Sequence, residues 1–123
     1  MPPTSRTILI VDDDPDTLNI ISMIIERLGH TPIPCPSSEV ALQKTLSVNF
    51  DIALVDVMLP VMNGYELLKA LKARTPEKHV PVILITAKDD DSDVYLGYQY
   101  GADYYMTKPF TPKQLENGLR LFL

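Results

Sequence analysis

The stretch ILIVDDDP, residues 8 to 15, decides the fold of this chain. Its apolar half, Ile8–Val11, is a short unbroken run that is typical of a strand buried on both faces of a sheet. Asp14 is a favoured helix N-cap and Pro15 suits the first helical position, so a helix is expected to begin directly after the strand. A buried strand followed at once by a helix predicts an α/β fold.

Three further runs share the pattern of an apolar strand that ends on a polar residue. They are Ile52–Val55 before Asp56, Val82–Ile85 before Thr86, and Tyr104–Met106 before Thr107 and Lys108. Helical patterns separate the strands, so we expect a parallel sheet with right-handed crossovers. The second strand, near residues 31 to 35, contains Pro32 and Pro34, and two prolines restrict a strand to the edge of a sheet.

Five helices are expected along the chain. Their patterns cover about residues 15–28, 38–48, 65–74 and 92–100, and the last helix starts with the capping-box pattern Thr111–Gln114. Ser37 is expected to cap the second helix. The inward-facing residues of that helix are expected to be Val40, Ala41, Leu42 and Leu46.

Acids, a hydroxyl and an amine follow the strands at the end where all parallel strands finish. Asp12, Asp13 and Asp56 come from two strand ends, and Lys108 comes from the last strand. Because the carboxyl ends of parallel strands lie along one edge, these groups are expected to gather in one crevice. Carboxylate oxygens suit Mg²⁺, and a lysine supplies positive charge to a phosphoryl group. A simpler interpretation, in which these aspartates only cap the first helix, accounts for Asp14 alone.

The totals limit the class of protein. With 123 residues, the chain has room for one domain with one core. Its net charge of −5 argues against general nucleic-acid binding. No apolar run approaches the ~18 residues of a membrane span, and the N-terminus lacks the features of a signal peptide. Since the single cysteine, Cys35, permits no internal disulfide, a cytoplasmic protein without membrane contact is expected.

Over essentially its whole length, the sequence resembles the receiver domain of two-component response regulators. The matching stretches are ILIVDDDP at 8–15, DVMLPVMNG at 56–64, LITAK at 84–88 and GADYYMTKPF at 101–110. The resemblance implies a single domain over residues 1–123, with a doubly wound, five-stranded parallel sheet in the flavodoxin-like order 2-1-3-4-5 and helices on both faces. We also expect residues 1–5 to be disordered, and the apolar end at Leu121–Leu123 suggests a domain cut from a longer protein.

The resemblance implies a Mg²⁺-dependent phosphoryl transfer to Asp56. In that assignment, Asp12, Asp13, Asp56 and the backbone carbonyl of Met58 hold the ion. A phosphohistidine on a sensor histidine kinase or phosphotransfer protein would be the donor, and Asp56 would attack its phosphorus atom in line. The domain would then be a signalling switch that takes part in its own phosphorylation and dephosphorylation, and not a turnover enzyme.

The same resemblance implies how the switch responds. Lys108 and Thr86 would contact the phosphoryl oxygens, and the Lys108–Pro109 peptide bond would be cis. Thr86 would move toward the phosphoryl group, and Tyr105 would fill the space that it leaves. This movement would change a surface formed by the fourth helix, the fifth strand and the fifth helix, where a second copy or an effector would bind.

Several residues differ from the pattern that is usual in this family. Tyr104 stands where an acid is common, and Gly118 stands at a position that is often basic. Val94 and Gln99 also stand at positions that are often charged. The salt-bridged contact that joins two receivers in many transcriptional regulators therefore lacks its usual charges here. We therefore expect a hydrophobic contact surface with little salt dependence, which includes Val94, Leu96 and Tyr104.

The acidic motif leaves a second class of function open. Haloacid-dehalogenase-type phosphatases also use Mg²⁺ and an aspartate after the first strand, so Asp12 would be their nucleophile in place of Asp56. That fold normally needs a longer chain, and the variant Asp56→Asn would separate the two functions. A third interpretation is a receiver-like scaffold without phosphorylation, against which the complete set of polar site residues argues.

Overall fold

The computed structural model describes residues 5–74, 79–87 and 101–123, which contain five strands and four helices. The strands are β1 (Thr7–Val11), β2 (Thr31–Cys35), β3 (Ile52–Asp56), β4 (Val82–Ala87) and β5 (Tyr104–Lys108). The helices are α1 (Pro15–Arg27), α2 (Ser38–Lys44), α3 (Gly64–Arg74) and the C-terminal helix (Pro112–Arg120). Among these helices, none has the length and apolar character needed to cross a membrane. The helix predicted near residues 92–100 lies outside the described residues, as do residues 1–4 of the N-terminal segment.

The five strands form one parallel sheet in the order β2-β1-β3-β4-β5, which confirms the predicted order. The chain first crosses from β1 to the edge strand β2, and then returns past β1 to build the other side of the sheet. β1 and β3 are therefore neighbours, with Val11 opposite Val55. In open α/β sheets, the point where the strand order reverses leaves a crevice beyond the carboxyl ends of the strands.

Helices cover both faces of the sheet, as predicted. α2 and α3 pack on one face over a core that includes Ala41, Leu67 and Leu71. α1 and the C-terminal helix pack on the other face, with Ile21 and Leu115 at the centre. Successive strand residues point to opposite faces, so both cores share the same strands. Each fully buried leucine or isoleucine contributes about 1.5–3 kcal/mol relative to an exposed one, which holds both layers of helices on the sheet.

Both ends of α1 follow the sequence prediction. The Asp14 side chain caps the helix by accepting the backbone N–H of Asp16 at 3.2 Å, and Pro15 occupies the first turn. Gly29 follows the helix with φ of +90°. Glycine adopts this left-handed conformation at little cost, so the chain turns there toward β2.

β2 is the edge strand that its prolines predicted. The backbone N–H of Thr31 donates to the carbonyl of Arg6 at 2.9 Å, so alternate residues from Thr31 to Cys35 face β1. Pro32 and Pro34 occupy the intervening positions, where a backbone N–H would point away from the sheet. The missing N–H groups therefore remove no bond from the ladder.

α2 is shorter than predicted, and the placement of Leu46 inside the fold was wrong. Ser37 caps the helix as expected, but the helix ends at Lys44. The Thr45 hydroxyl donates to the carbonyl of Leu42 at 2.6 Å, and such local bonds compete with continued helix. Leu46 then lies on a turn with 79% of its surface exposed. The other predicted inward residues, Val40, Ala41 and Leu42, pack on the core beneath α2 and α3.

Tyr104 and Gly118, which both differ from the usual pattern, fit against each other. A Cβ on Gly118 would lie 3.4 Å from Cε2 of Tyr104 and 3.2 Å from Sδ of Met106, so the tyrosine ring lies close to the glycine. The same ring meets Phe122 edge to face, with centroids 6.3 Å apart. Tyr104 is thus half-buried against the C-terminal helix. Val94 and Leu96 of the predicted contact surface lie outside the described ranges, as does Gln99, so that surface stays a prediction.

Candidate functional site

Three carboxylates lie together at the carboxyl edge of the sheet. Asp12 and Asp13 follow β1, and Asp56 is the last residue of β3. One carboxylate oxygen from each residue lies within 4.8 Å of the others. Asp12 and Asp56 are only 2% and 6% exposed, whereas Asp13 is exposed to solvent. The structure therefore brings the three predicted acids together in one place.

Lys108 joins the acids from the end of β5. Its Nζ donates to Oδ2 of Asp12 at 2.8 Å and to Oδ2 of Asp56 at 3.3 Å. Burial of the amine acts to lower its pKa, but the hydrogen bond to Asp12 and the charges of both aspartates hold the pKa of Lys108 above its ordinary value. The amine is therefore charged at neutral pH. The peptide bond between Lys108 and Pro109 is cis, as predicted.

Asp56 lies in surroundings that disfavour its negative charge. Burial raises the pKa of its carboxyl group above the ordinary value. The backbone N–H of Met58 and the charge of Lys108 act in the opposite direction, while the charge of Asp12 raises the pKa further. Three carboxylates and one amine leave the crevice with excess negative charge, which a divalent cation would offset.

The donor set suits a small hard cation. Mg²⁺ prefers oxygen ligands in octahedral geometry and keeps several of its waters, so it needs only a few carboxylates from a protein. Oδ1 of Asp12 accepts the backbone N–H of Asp14 at 2.9 Å, which fixes the orientation of that carboxylate. The backbone N–H of Met58 donates to Oδ1 of Asp56 at 3.1 Å, which ties the following loop to the acid.

A glycine holds the loop between β3 and α3 against the site. The backbone N–H of Gly64 donates to the carbonyl of Val57 at 3.0 Å. A Cβ at this position would lie 2.5 Å from the carbonyl oxygen of Asp56 and 2.7 Å from Cα of Val57. Real Cβ atoms essentially never come so close to a backbone atom, so α3 begins in direct contact with the backbone of Asp56 only because residue 64 has no side chain.

Ser38 anchors the same loop from α2. Its hydroxyl donates to the carbonyl of Met62 at 2.7 Å, and the side chain is buried. The sequence does not predict this contact. Two serines at a helix start, Ser37 and Ser38, have the pattern of a cap, and nothing local shows that the second one reaches a loop 24 residues away.

Val61, in the middle of this loop, has an unfavourable backbone conformation. Its φ is +68°, and 94% of its surface is exposed. A β-branched residue in the left-handed region is strained by about 1–2 kcal/mol. We expect Val61→Asn to stabilise the protein by about 1 kcal/mol, since asparagine tolerates this conformation. Urea unfolding at equilibrium measures the change, and Val61→Thr, which is polar but still β-branched, should give no gain. An equal gain for both variants would show that polarity, and not strain, limits stability there.

Thr86 and Tyr105 lie on neighbouring strands near the site. Thr86 is buried at the end of β4, one residue beyond Ile85, which pairs with Asp56. Tyr105 pairs with Leu84 and packs on the core beneath α2 and α3. The alternation of strand residues places Thr86 on the same face as Leu84 and Tyr105. The two residues expected to form the switch therefore share one face of the sheet.

One protein family matches this arrangement along nearly the whole chain. The model of the response regulator receiver domain matches residues 8–120. The chain belongs to the response regulator receiver domain family. Receiver domains are modules of two-component signalling, their general function is that of a phosphorylation switch, and they bind Mg²⁺ at an acidic pocket.

Similar proteins include two response regulators and a chemotaxis protein. The alkaline phosphatase synthesis transcriptional regulatory protein PhoP of Bacillus subtilis is 36% identical over 97% of this receiver domain, which covers 49% of PhoP. The heme response regulator HssR of Staphylococcus saprophyticus is 46% identical over 89% of it and is covered to 47%. The chain thus spans about half the length of these curated relatives. The chemotaxis protein CheY4 of Vibrio cholerae aligns over 98% of this chain and 100% of its own, with a TM-score of 0.91 and 28% identity.

Proposed function

We propose that this receiver domain accepts a phosphoryl group onto Asp56 in a Mg²⁺-dependent reaction and acts as a cytoplasmic signalling switch, not as a turnover enzyme. The observation that carries the proposal is the meeting of Asp56 with Asp12, Asp13 and Lys108 at one edge of the sheet. Residues 1–123 are proposed to act as one domain. The donor would be a phosphohistidine of a sensor kinase or phosphotransfer protein.

The roles of the site residues follow from their chemistry. Asp12, Asp13, Asp56 and the Met58 carbonyl would hold Mg²⁺, which supplies positive charge to the transferring group when it is bound. A carboxylate oxygen of Asp56 attacks phosphorus, and the bond between phosphorus and the donor imidazole breaks, with its electron pair remaining on the imidazole nitrogen. Lys108 donates to a phosphoryl oxygen and balances part of its charge.

The contacts of the two buried acids favour Asp56 over Asp12 as the nucleophile. Both oxygens of Asp12 are engaged by short bonds, one from Lys108 at 2.8 Å and one from the backbone N–H of Asp14 at 2.9 Å. Those of Asp56 accept longer bonds, from Lys108 at 3.3 Å and from the N–H of Met58 at 3.1 Å. A carboxylate oxygen that accepts longer hydrogen bonds can give them up to attack a phosphorus atom at a lower cost in free energy.

An apolar groove beside the site supports a protein as the donor. It runs between α1 and the segment after β5, and Ile20, Ile24, Pro109 and Phe110 line it together with Lys108. Ile20 is 57% exposed, although it is a large apolar side chain. Exposed apolar surface that continues into a reactive site is typical of a protein contact. A donor protein seated there would bring its phosphohistidine to Asp56.

The output of the switch is proposed to pass through Thr86 and Tyr105. Thr86 would approach the phosphoryl oxygens, and Tyr105 would occupy the space beside it. A surface that includes β5 and the C-terminal helix would then bind an effector or a second copy of this domain.

Labelling with a small phosphoryl donor tests the central claim. We expect acetyl phosphate with Mg²⁺ to give one phosphoryl adduct, detected by intact-protein mass spectrometry, and we expect no adduct in EDTA or in Asp56→Asn. Asp16→Asn, which removes an exposed acid outside the site, is the matched control and should be labelled like the wild type. An adduct that persists in Asp56→Asn would refute the assignment. Phosphatase activity that survives in Asp56→Asn but is lost in Asp12→Asn would establish the phosphatase alternative instead.

A further inference from the structure

Two tyrosine hydroxyl groups meet on the face of the sheet that α2 and α3 cover. The hydroxyl oxygens of Tyr65 and Tyr105 lie 2.9 Å apart, which is a hydrogen-bond distance. Tyr65 lies in the first turn of α3 and is only 9% exposed. Tyr105 belongs to β5 and is half-buried. The bond joins the start of α3 to an outer strand of the sheet over 40 residues of sequence.

Tyr65 is connected to the acid through its own backbone. The preceding residue, Gly64, touches the backbone of Asp56 and Val57 and donates its N–H to the carbonyl of Val57 at 3.0 Å. A displacement of the Asp56 backbone is therefore transmitted to the first turn of α3. The position of the Tyr65 ring depends directly on the loop that carries the site.

Tyr105 is connected to the site by a second route. Its strand partner is Leu84, and Thr86 stands two residues further along β4 on the same face of the sheet. The Tyr105 ring packs on the core formed by α2, α3 and this face. A ring that rotates outward from this position must break its bond to Tyr65 and leave that core.

We propose that Tyr65 is a positioning residue of the switch, whose hydroxyl holds Tyr105 in its inward position and couples that position to the backbone of Asp56. This inference rests on the proposed function, because it takes Tyr105 as the aromatic residue that responds to phosphorylation. It adds a route from Asp56 to Tyr105 through Gly64 and Tyr65, beside the route through Thr86.

The direction of the effect follows from linkage. If phosphorylation favours the inward ring, then a hydrogen bond that favours the inward ring also favours binding of a phosphoryl mimic, by at most the free energy of that bond. Removing one neutral hydrogen bond changes an equilibrium constant by about threefold to tenfold. The losses from removing the two hydroxyls of the same pair should then be less than additive.

A double-mutant cycle on the Mg²⁺–beryllofluoride complex tests this coupling. The affinity for beryllofluoride is measured for the wild type, Tyr65→Phe, Tyr105→Phe and the double variant, each of which retains its aromatic ring. Tyr104→Phe, on the same strand but outside the pair, is the control. We expect each single variant of the pair to bind beryllofluoride more weakly, by up to about tenfold, the double variant to lose less than the sum of the two single losses, and the control to match the wild type.

The possible outcomes separate coupling from simple packing. Urea unfolding of each variant reports the structural role of the bond. A loss of stability in Tyr65→Phe with unchanged beryllofluoride affinity would overturn the proposal, as would losses of affinity that add in the double variant. Failure of the proposed function itself has a different signature, because the wild type would then neither bind beryllofluoride nor be labelled at Asp56.

Discussion

The variant Gly64→Ala is expected to lose both stability and phosphorylation. The added Cβ would lie 2.5 Å from the carbonyl oxygen of Asp56 and 2.7 Å from Cα of Val57. Both are backbone atoms of β3 or of its first following residue, held by strand pairing and by the bond from the Val57 N–H to the carbonyl of Ile85 at 2.9 Å. Neither can move aside without disturbing the sheet, so we expect a loss of about 3 kcal/mol.

Phosphorylation should fall further than stability alone explains. The clash displaces the residue that carries the nucleophile, and a misplacement of 1 Å is enough to slow a reaction about a hundredfold. Labelling with acetyl phosphate under conditions where the variant is still folded measures this effect, and urea unfolding measures the stability.

Gly118→Ala provides the matched control. It also adds a methyl group to a buried helical glycine, but the nearest atoms are the flexible Sδ of Met106 at 3.2 Å and a ring atom of Tyr104 at 3.4 Å. Since alanine favours helix over glycine by about 1 kcal/mol, this variant should be close to neutral. If Gly64→Ala and Gly118→Ala changed stability and labelling by equal amounts, the contact of Gly64 with Asp56 would have no particular importance for the site.

The variant Asp56→Asn is expected to make the metal-free protein more stable at pH 7. The pKa of Asp56 is raised in the folded protein, chiefly by burial, so the folded state holds this proton more tightly than the unfolded chain does. The stability that this group contributes is fully present below its unfolded pKa of about 3.9 and is lost as the pH rises through the folded pKa. Asparagine removes that loss, so we expect a gain in stability at pH 7.

The pH dependence distinguishes this cause from others. Unfolding by urea in EDTA should show a gain for Asp56→Asn that shrinks as the pH is lowered toward 4, where the wild-type carboxyl group also becomes neutral. A gain that is constant with pH would mean that charge is not its source. Lys108→Met is the opposite change, and it should destabilise the metal-free protein because Asp12 and Asp56 lose the amine that lies between them.

The sequence predicts the strands and most of the site because each of these has a local signal, whereas the full sheet order followed from the resemblance to receiver domains. Apolar runs that end on Asp12, Asp56 and Thr86 determine which residues meet, since parallel strands all finish at one edge. The end of α2 was predicted less well. The hydrogen bond of the Thr45 hydroxyl to the backbone, which competes with continued helix, cannot be read from the spacing of apolar residues.

Contacts made across the fold have no local signal. The bond of Ser38 to the loop after β3 and the hydroxyl pair of Tyr65 and Tyr105 each join segments that are far apart in sequence. The fit of Tyr104 against Gly118 is also a contact between segments that are distant in sequence. Each residue differs from the usual pattern, and the reason for either difference is visible only when both residues are considered together. Such pairs become visible only when the packing of the two segments that carry them is known.

The two prolines of β2 bear on how this protein behaves when it is crowded. An unprotected sheet edge recruits strands from other molecules, and this is a common beginning of amyloid-like aggregation. Here the outer side of β2 lacks the N–H donors of residues 32 and 34, so an incoming strand would find acceptors without the donors that continue a ladder. At this edge, the addition of strands from other molecules is therefore disfavoured, even at high concentration.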